Sequence, residues 1–179
     1  MGRGIALALA GALLVFAAPA SAASKNVKQL DQLPEAKYAT AINFLQYKHG
    51  SDVMLVTGRF GLKSYSLRDP RHPRLLDSIT SEDLRLPGDP PVSFDEDNLS
   101  TFWQNEDMDV DQDRKLALIS RDPRSYKGST SRGPGEPDPN GATNIAGVYV
   151  VDAKDPGRLK LLSFEQPPDW PHDLVHQRL

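Results

Sequence analysis

The chain has 179 residues, 39% of them hydrophobic and 25% charged, with net charge −3 and no cysteine. That length suits one domain or part of one. The missing cysteines exclude disulfides, cysteine-based zinc or iron–sulfur sites, thiol nucleophiles and a lipoprotein anchor, and the mildly acidic charge excludes a nucleic-acid footprint.

Residues 1–23 read as an export signal. Arg3 is the only charge, Ile5 to Ala18 is an apolar run, and Pro19-Ala20-Ser21-Ala22 fits the small-x-small pattern of a signal peptidase site. The apolar run falls short of the roughly 20 residues a membrane span needs. The mature product is therefore expected to be secreted or extracytoplasmic, with no membrane span after cleavage. Residues 24–39 form a polar lead-in.

From residue 40 the chain is written in short strands. Ala41 to Tyr47, Val53 to Thr57, Leu62 to Leu67 and Arg74 to Ile79 are apolar or alternating stretches bounded by Gly, Asp, Pro or Ser. Their lengths predict strands rather than helices. The turns between them are short, so residues 40–79 predict an antiparallel four-stranded meander. Residues 80–104 are an irregular linker. A second meander is predicted over 105–165, with strands at Met108 and Val110, at Leu116 to Ser120, at Val148 to Val151 and at Leu159 to Phe164.

The two meanders are copies of one pattern. Gly61-Leu62, Asp69-Pro70 and Leu75-Leu76 align without a gap to Gly147-Val148, Asp155-Pro156 and Leu161-Leu162, 86 positions on. Leu55-Val56-Thr57 matches Leu118-Ile119-Ser120 at an offset of only 63. The second copy therefore carries an insertion, the Gly- and Pro-rich stretch from Arg121 to Ala146. Four-stranded repeats of about 40 residues are the sequence sign of propeller blades, which bury their faces against neighbouring blades.

The stretch from Gly61 to Leu76 resembles the LVIVD repeat, in which an apolar strand runs into Asp-x-Ser-Asp-Pro, then Pro, then a second apolar strand. Gly147 to Pro156 is the nearer match. Ser66 stands where that repeat has Asp, and Leu159 where it has Pro. The resemblance covers about 40 to 164 and implies an all-β protein. It would hold about two blades of an incomplete β-propeller, of bacterial extracytoplasmic kind, and no catalytic residues carry over. Closed rings have typically four to eight blades, so the chain is expected to be a truncated form of a longer protein. The tail 166–179 fits the repeat poorly. A one-base shift of a plausible codon string for His172 to Leu179 reads as a new strand-like start, so a frameshift near Pro167–His172 is expected.

The densest acidic stretch holds Glu106, Asp107, Asp109, Asp111 and Asp113. Its oxygens suit Ca2+, the one cofactor the sequence leaves open. The spacing fails an EF-hand, since Gln112 and Leu118 stand where Gly and Glu belong. The plainer reading is a solvated strand face entering a turn, with Met108 and Val110 pointing into the core. Arg121, Arg124, Tyr126 and Arg132, beside Lys127 and several glycines, stand in a long loop that reads first as disordered or structural, with anion binding through its backbone N–H groups as the alternative. No Gly-Lys-Ser/Thr follows, so it is no nucleotide loop. His172 and His176, like His49 and His72, read as solvated rather than ligating. Trp103 and Trp170 read as packing residues.

No nucleophile motif occurs. The sequence thus predicts a non-catalytic binding or interaction scaffold for an extracellular protein or glycan, able to self-associate through exposed blade edges. Its rivals are an extracytoplasmic enzyme whose catalytic blades lie elsewhere, and a Ca2+-dependent surface adhesin.

Overall fold

A computed structural model of the chain describes residues 28–48, 51–87, 89, 91–92, 107–122 and 146–166. The expected signal, the body of the inserted loop, the tail, Trp103, Trp170, His49, His172 and His176 lie outside them. The described chain is all-β. After a 3-10 turn at Pro34–Ala36 come β1 (Ala39–Tyr47), β2 (Ser51–Gly58), β3 (Gly61–Ser66) and β4 (Arg74–Thr80). The second set is β5 (Met108–Asp111), β6 (Leu116–Arg121), β7 (Gly147–Asp152) and β8 (Lys160–Glu165). Each set forms one four-stranded sheet in sequence order, with every neighbouring pair antiparallel. No helix among the described residues is long and apolar enough to cross a membrane.

The two sheets repeat each other down to single hydrogen bonds. After β3 the Asp69 side chain accepts the Arg71 N–H at 3.0 Å, and the Asp69 carbonyl accepts from His72. After β7 the Asp155 side chain accepts the Gly157 N–H at 3.0 Å, and its carbonyl accepts from Arg158. This Asp-Pro turn is set by a carboxylate that caps the backbone two residues on, while proline fixes the corner. Ser66 Oγ accepts from the Arg68 N–H, as Asp152 Oδ1 does from Lys154. A hydroxyl therefore does the work of the carboxylate that the pattern led us to expect at Ser66. Both β3–β4 and β7–β8 slip register at equivalent points, between Ser64 and Tyr65 and between Val150 and Val151.

Alternation along each strand divides the sheets into faces. The inner face of the first sheet carries Leu45, Val53, Leu55, Leu62 and Ile79. It packs on the second sheet's Met108, Ala117, Ile119, Tyr149 and Val151, and together these make one core. Polar bonds stitch the seam. Asn43 Nδ2 donates to the Met108 carbonyl at 2.6 Å, and Ser64 Oγ to the Pro156 carbonyl at 2.6 Å. The Leu159 N–H donates to Asp77 Oδ2 at 2.7 Å, and the Tyr47 hydroxyl donates to the Ala153 carbonyl.

The faces that meet are not the same face of the repeat. Leu62 and Ser64 of β3 correspond to Val148 and Val150 of β7, yet β7 packs through Tyr149 and Val151. The residues corresponding to those, Lys63 and Tyr65, lie on the far side of the first sheet. The stacking is therefore heterologous, one kind of face on the other kind. Such a contact leaves an unused copy of each face behind.

Candidate functional site

Three groups of side chains stand out, and each grows from a local feature of the chain. The first lies where the lead-in enters β1. Tyr38 has φ 66°, a left-handed conformation that is uncommon for an aromatic residue. The residue is 46% exposed. The Lys37 ammonium lies 4.8 Å from the ring centre and the Arg59 guanidinium 5.9 Å. Beside them Lys63 Nζ sits 4.8 Å from the Phe60 ring centre and donates to the Glu35 carbonyl. Burial lowers the Lys63 pKa, and the nearby Glu35 carboxylate offsets part of that fall. The result is a basic and aromatic patch on an otherwise acidic protein. Sequence reasoning missed it. Its members are split between the lead-in and the β2–β3 turn, and nothing in either segment signals the other.

The second group is buried. Arg121 closes β6, and its guanidinium donates to Asp89 Oδ2 and Oδ1, both at 2.7 Å. It also donates to the Tyr149 hydroxyl at 2.9 Å, which in turn donates to the Leu84 carbonyl. Burial works against the Arg121 charge, but the Asp89 and Tyr149 oxygens outweigh it and raise its pKa. Burial likewise raises the Tyr149 pKa, against the pull of Arg121. Arg121 was expected in the inserted loop, as a candidate binding residue. It is instead a strand residue at 1% exposure whose charge is spent inward. The physical reason is the β6 alternation, which continues one residue further and sends Arg121 to the same side as Ala117 and Ile119. Its expected companions Arg124, Tyr126 and Arg132 lie outside the described residues.

The third group is the acidic stretch. Met108 is buried and Asp109 exposed, as alternation requires. The carboxylates cap backbone groups close by in sequence. Asp107 Oδ1 accepts from the Met108 N–H and Asp109 Oδ1 from the Val110 N–H, both at 2.8 Å. Asp111 Oδ1 accepts from Asp113 and Arg114, and its Oδ2 pairs with the Arg114 guanidinium at 2.9 Å. Those hydrogen bonds hold the Asp111 pKa below the usual carboxylate range, against some desolvation. Asp113 lies exposed in the turn. Among the described residues no three acidic or histidine side chains gather as a metal site would require. Gln112, between these aspartates, reaches across to the first sheet. Its Oε1 accepts from the Gln46 N–H at 3.1 Å and its Nε2 donates to the Phe44 carbonyl.

Set against known proteins, the chain matches no family model, no curated protein and no solved structure.

Proposed function

We propose that the chain is a secreted, non-catalytic repeat scaffold of the β-propeller type, its sheets serving as successive LVIVD-like blades. The observation that carries this reading is the heterologous stack of two sheets with the same turns, the same register slip and the same strand order. Blades of a propeller follow one another in that way. A scaffold of this kind binds through the ends of its sheets. The end that carries Tyr38, Lys37 and Arg59 offers an exposed ring flanked by cations. That chemistry suits an anionic extracellular glycan, whose sugar face stacks on the ring while its acid group meets the basic side chains.

The test is calorimetric titration of the protein with a sulfated glycan, beside an assay against broad hydrolase and lyase substrates. Binding that Tyr38→Ala weakens, with no turnover, is the expected result. Turnover, or glycan binding indifferent to Tyr38→Ala, overturns the reading.

A further inference from the structure

We infer that the chain associates head to tail with a second copy of itself. The outer face of its first sheet would stack on the far face of its partner's second sheet, the one turned away from that partner's own first sheet. The argument rests on the internal seam, which shows what this repeat does to a neighbour.

The seam has two halves. The second sheet contributes Met108, Val110 and the Gln112 bridge. The strand pairing Asn43 with Leu55, and Asp109 with Leu118, fixes the correspondence between β1 and β5. In that register Met108 corresponds to Ile42, Val110 to Phe44 and Gln112 to Gln46. The first sheet thus carries the same apolar pair and the same glutamine on its outer face. There Ile42 is 53% and Phe44 49% exposed, and Gln46 is also exposed. Two large apolar side chains left open on one strand, beside the amide that bridges sheets elsewhere in the molecule, form half of a seam without its other half.

The missing half stands on the second sheet. Its face turned away from the first sheet carries Leu116, Leu118, Val148 and Val150, each partly buried, in the places where the first sheet uses Val53, Leu55, Leu62 and Ser64. Charge neither drives nor forbids this pairing. The outer face of the first sheet carries Lys63 and Asp52, and the facing surface of the second carries Asp109, Asp111, Asp152 and Glu165 with Lys160. The lead-in covers Tyr65, which is fully buried near Glu35, but it leaves Ile42 and Phe44 open. Docking therefore centres on β1.

The copies also differ in ways that set the strength. Asp109 stands where Asn43 donates to the Met108 carbonyl, and a carboxylate cannot donate. Ser163 stands where Asp77 accepts from the Leu159 N–H, and Pro73 stands where Leu159 donates. Both partners of that bond are gone together, so no buried charge is stranded. The contact is thus weaker than the internal seam, and its chief flaw is the Asp109 carboxylate facing a carbonyl.

Three variants of the full chain test this by sedimentation velocity from micromolar to millimolar concentration. The unmodified chain should grow with concentration past the dimer, because a heterologous contact stays open-ended. Phe44→Glu and Val150→Glu, each checked for an unchanged fold by near-ultraviolet circular dichroism, should each be monomeric. Mixed together they should form a one-to-one dimer and stop, since one sound pair of faces remains. Asp109→Asn should tighten association about fivefold, the worth of one ordinary hydrogen bond. A chain that stays monomeric throughout overturns the inference. So does assembly by either glutamate variant alone, or a mixture that stays monomeric.

Discussion

Arg121 and Asp89 form a two-pronged ion pair in which neither side chain has any solvent exposure. Asp89 belongs to the stretch that follows β4, and Arg121 to the end of β6. The pair therefore pins the linker to the second sheet. Tyr149 adds to the same knot through the Leu84 carbonyl, so two points of the linker are held from one side.

Breaking that pair should cost far more than its formation contributes. Arg121→Met leaves the Asp89 carboxylate buried without its guanidinium, a loss of about 3–5 kcal/mol in unfolding free energy. Replacing both, as Arg121→Met with Asp89→Leu, should recover much of that. Urea unfolding of the single and double variants measures both values. A single variant as stable as the parent would show that water reaches the pair.

Tyr149→Phe isolates the hydroxyl. It removes the donor to the Leu84 carbonyl and the acceptor for Arg121. Two buried groups lose a partner, so the loss should be about 1–3 kcal/mol. The ring contact with Phe164, 4.9 Å between centres, should survive. Far-ultraviolet circular dichroism should therefore change little while the melting temperature falls.

Much of this fold was legible in the chain itself. The eight strands among the described residues fall where apolar alternation and turn residues put them, within about two residues at either end. The 86-residue spacing of the Asp-Pro turns reappears as matching hydrogen bonds at Asp69 and Asp155. What could not be read was anything that depends on two distant segments meeting. Arg121 looked like a loop residue because its partner, Asp89, lies in the linker before the second sheet. Gln112 looked like a turn residue within an acidic run, because its bridge to Gln46 depends on how the sheets stack. The aspartates drew attention by their density, yet the carboxylates of Asp107, Asp109 and Asp111 accept from groups within three residues.

Gly61 and Gly147 open the third strand of each sheet, and each is closed in by the strand beside it. Gly61 has φ 100°, and a Cβ there would run into the Ile79 carbonyl oxygen. A Cβ on Gly147 would meet the Glu165 carbonyl oxygen and the Phe164 ring. Alanine at Gly61 meets both a strained backbone and a backbone clash, so it should destabilise by more than about 1 kcal/mol. At Gly147 part of the clash is with a side chain that can turn aside, so the effect should be smaller. Thermal melts of the two variants, compared side by side, check the order. An equal loss at both would mean that backbone conformation decides neither.

Alkaline pH should loosen the seam between the sheets. Tyr47 lies across it, its hydroxyl donating to the Ala153 carbonyl. Burial, with help from the Asp152 and Asp155 carboxylates, pushes its pKa from 10.0 up to about 12. The folded chain thus holds this proton more tightly than the unfolded chain does. Its contribution to stability is complete below pH 10 and is lost as pH rises from there through about 12. Burial also raises the pKa of Tyr65 and Tyr149, which act in the same direction. Stability measured by urea unfolding should therefore decline steadily above pH 10, and Tyr47→Phe should flatten part of that decline while costing about 1 kcal/mol at neutral pH, where the hydrogen bond to the Ala153 carbonyl is lost. The tyrosinate absorbance lost on Tyr47→Phe, followed through the same titration, should rise late and together with unfolding. A rise centred near pH 10 for that Tyr47 signal, with the fold intact, would mean that water already reaches the seam at Tyr47.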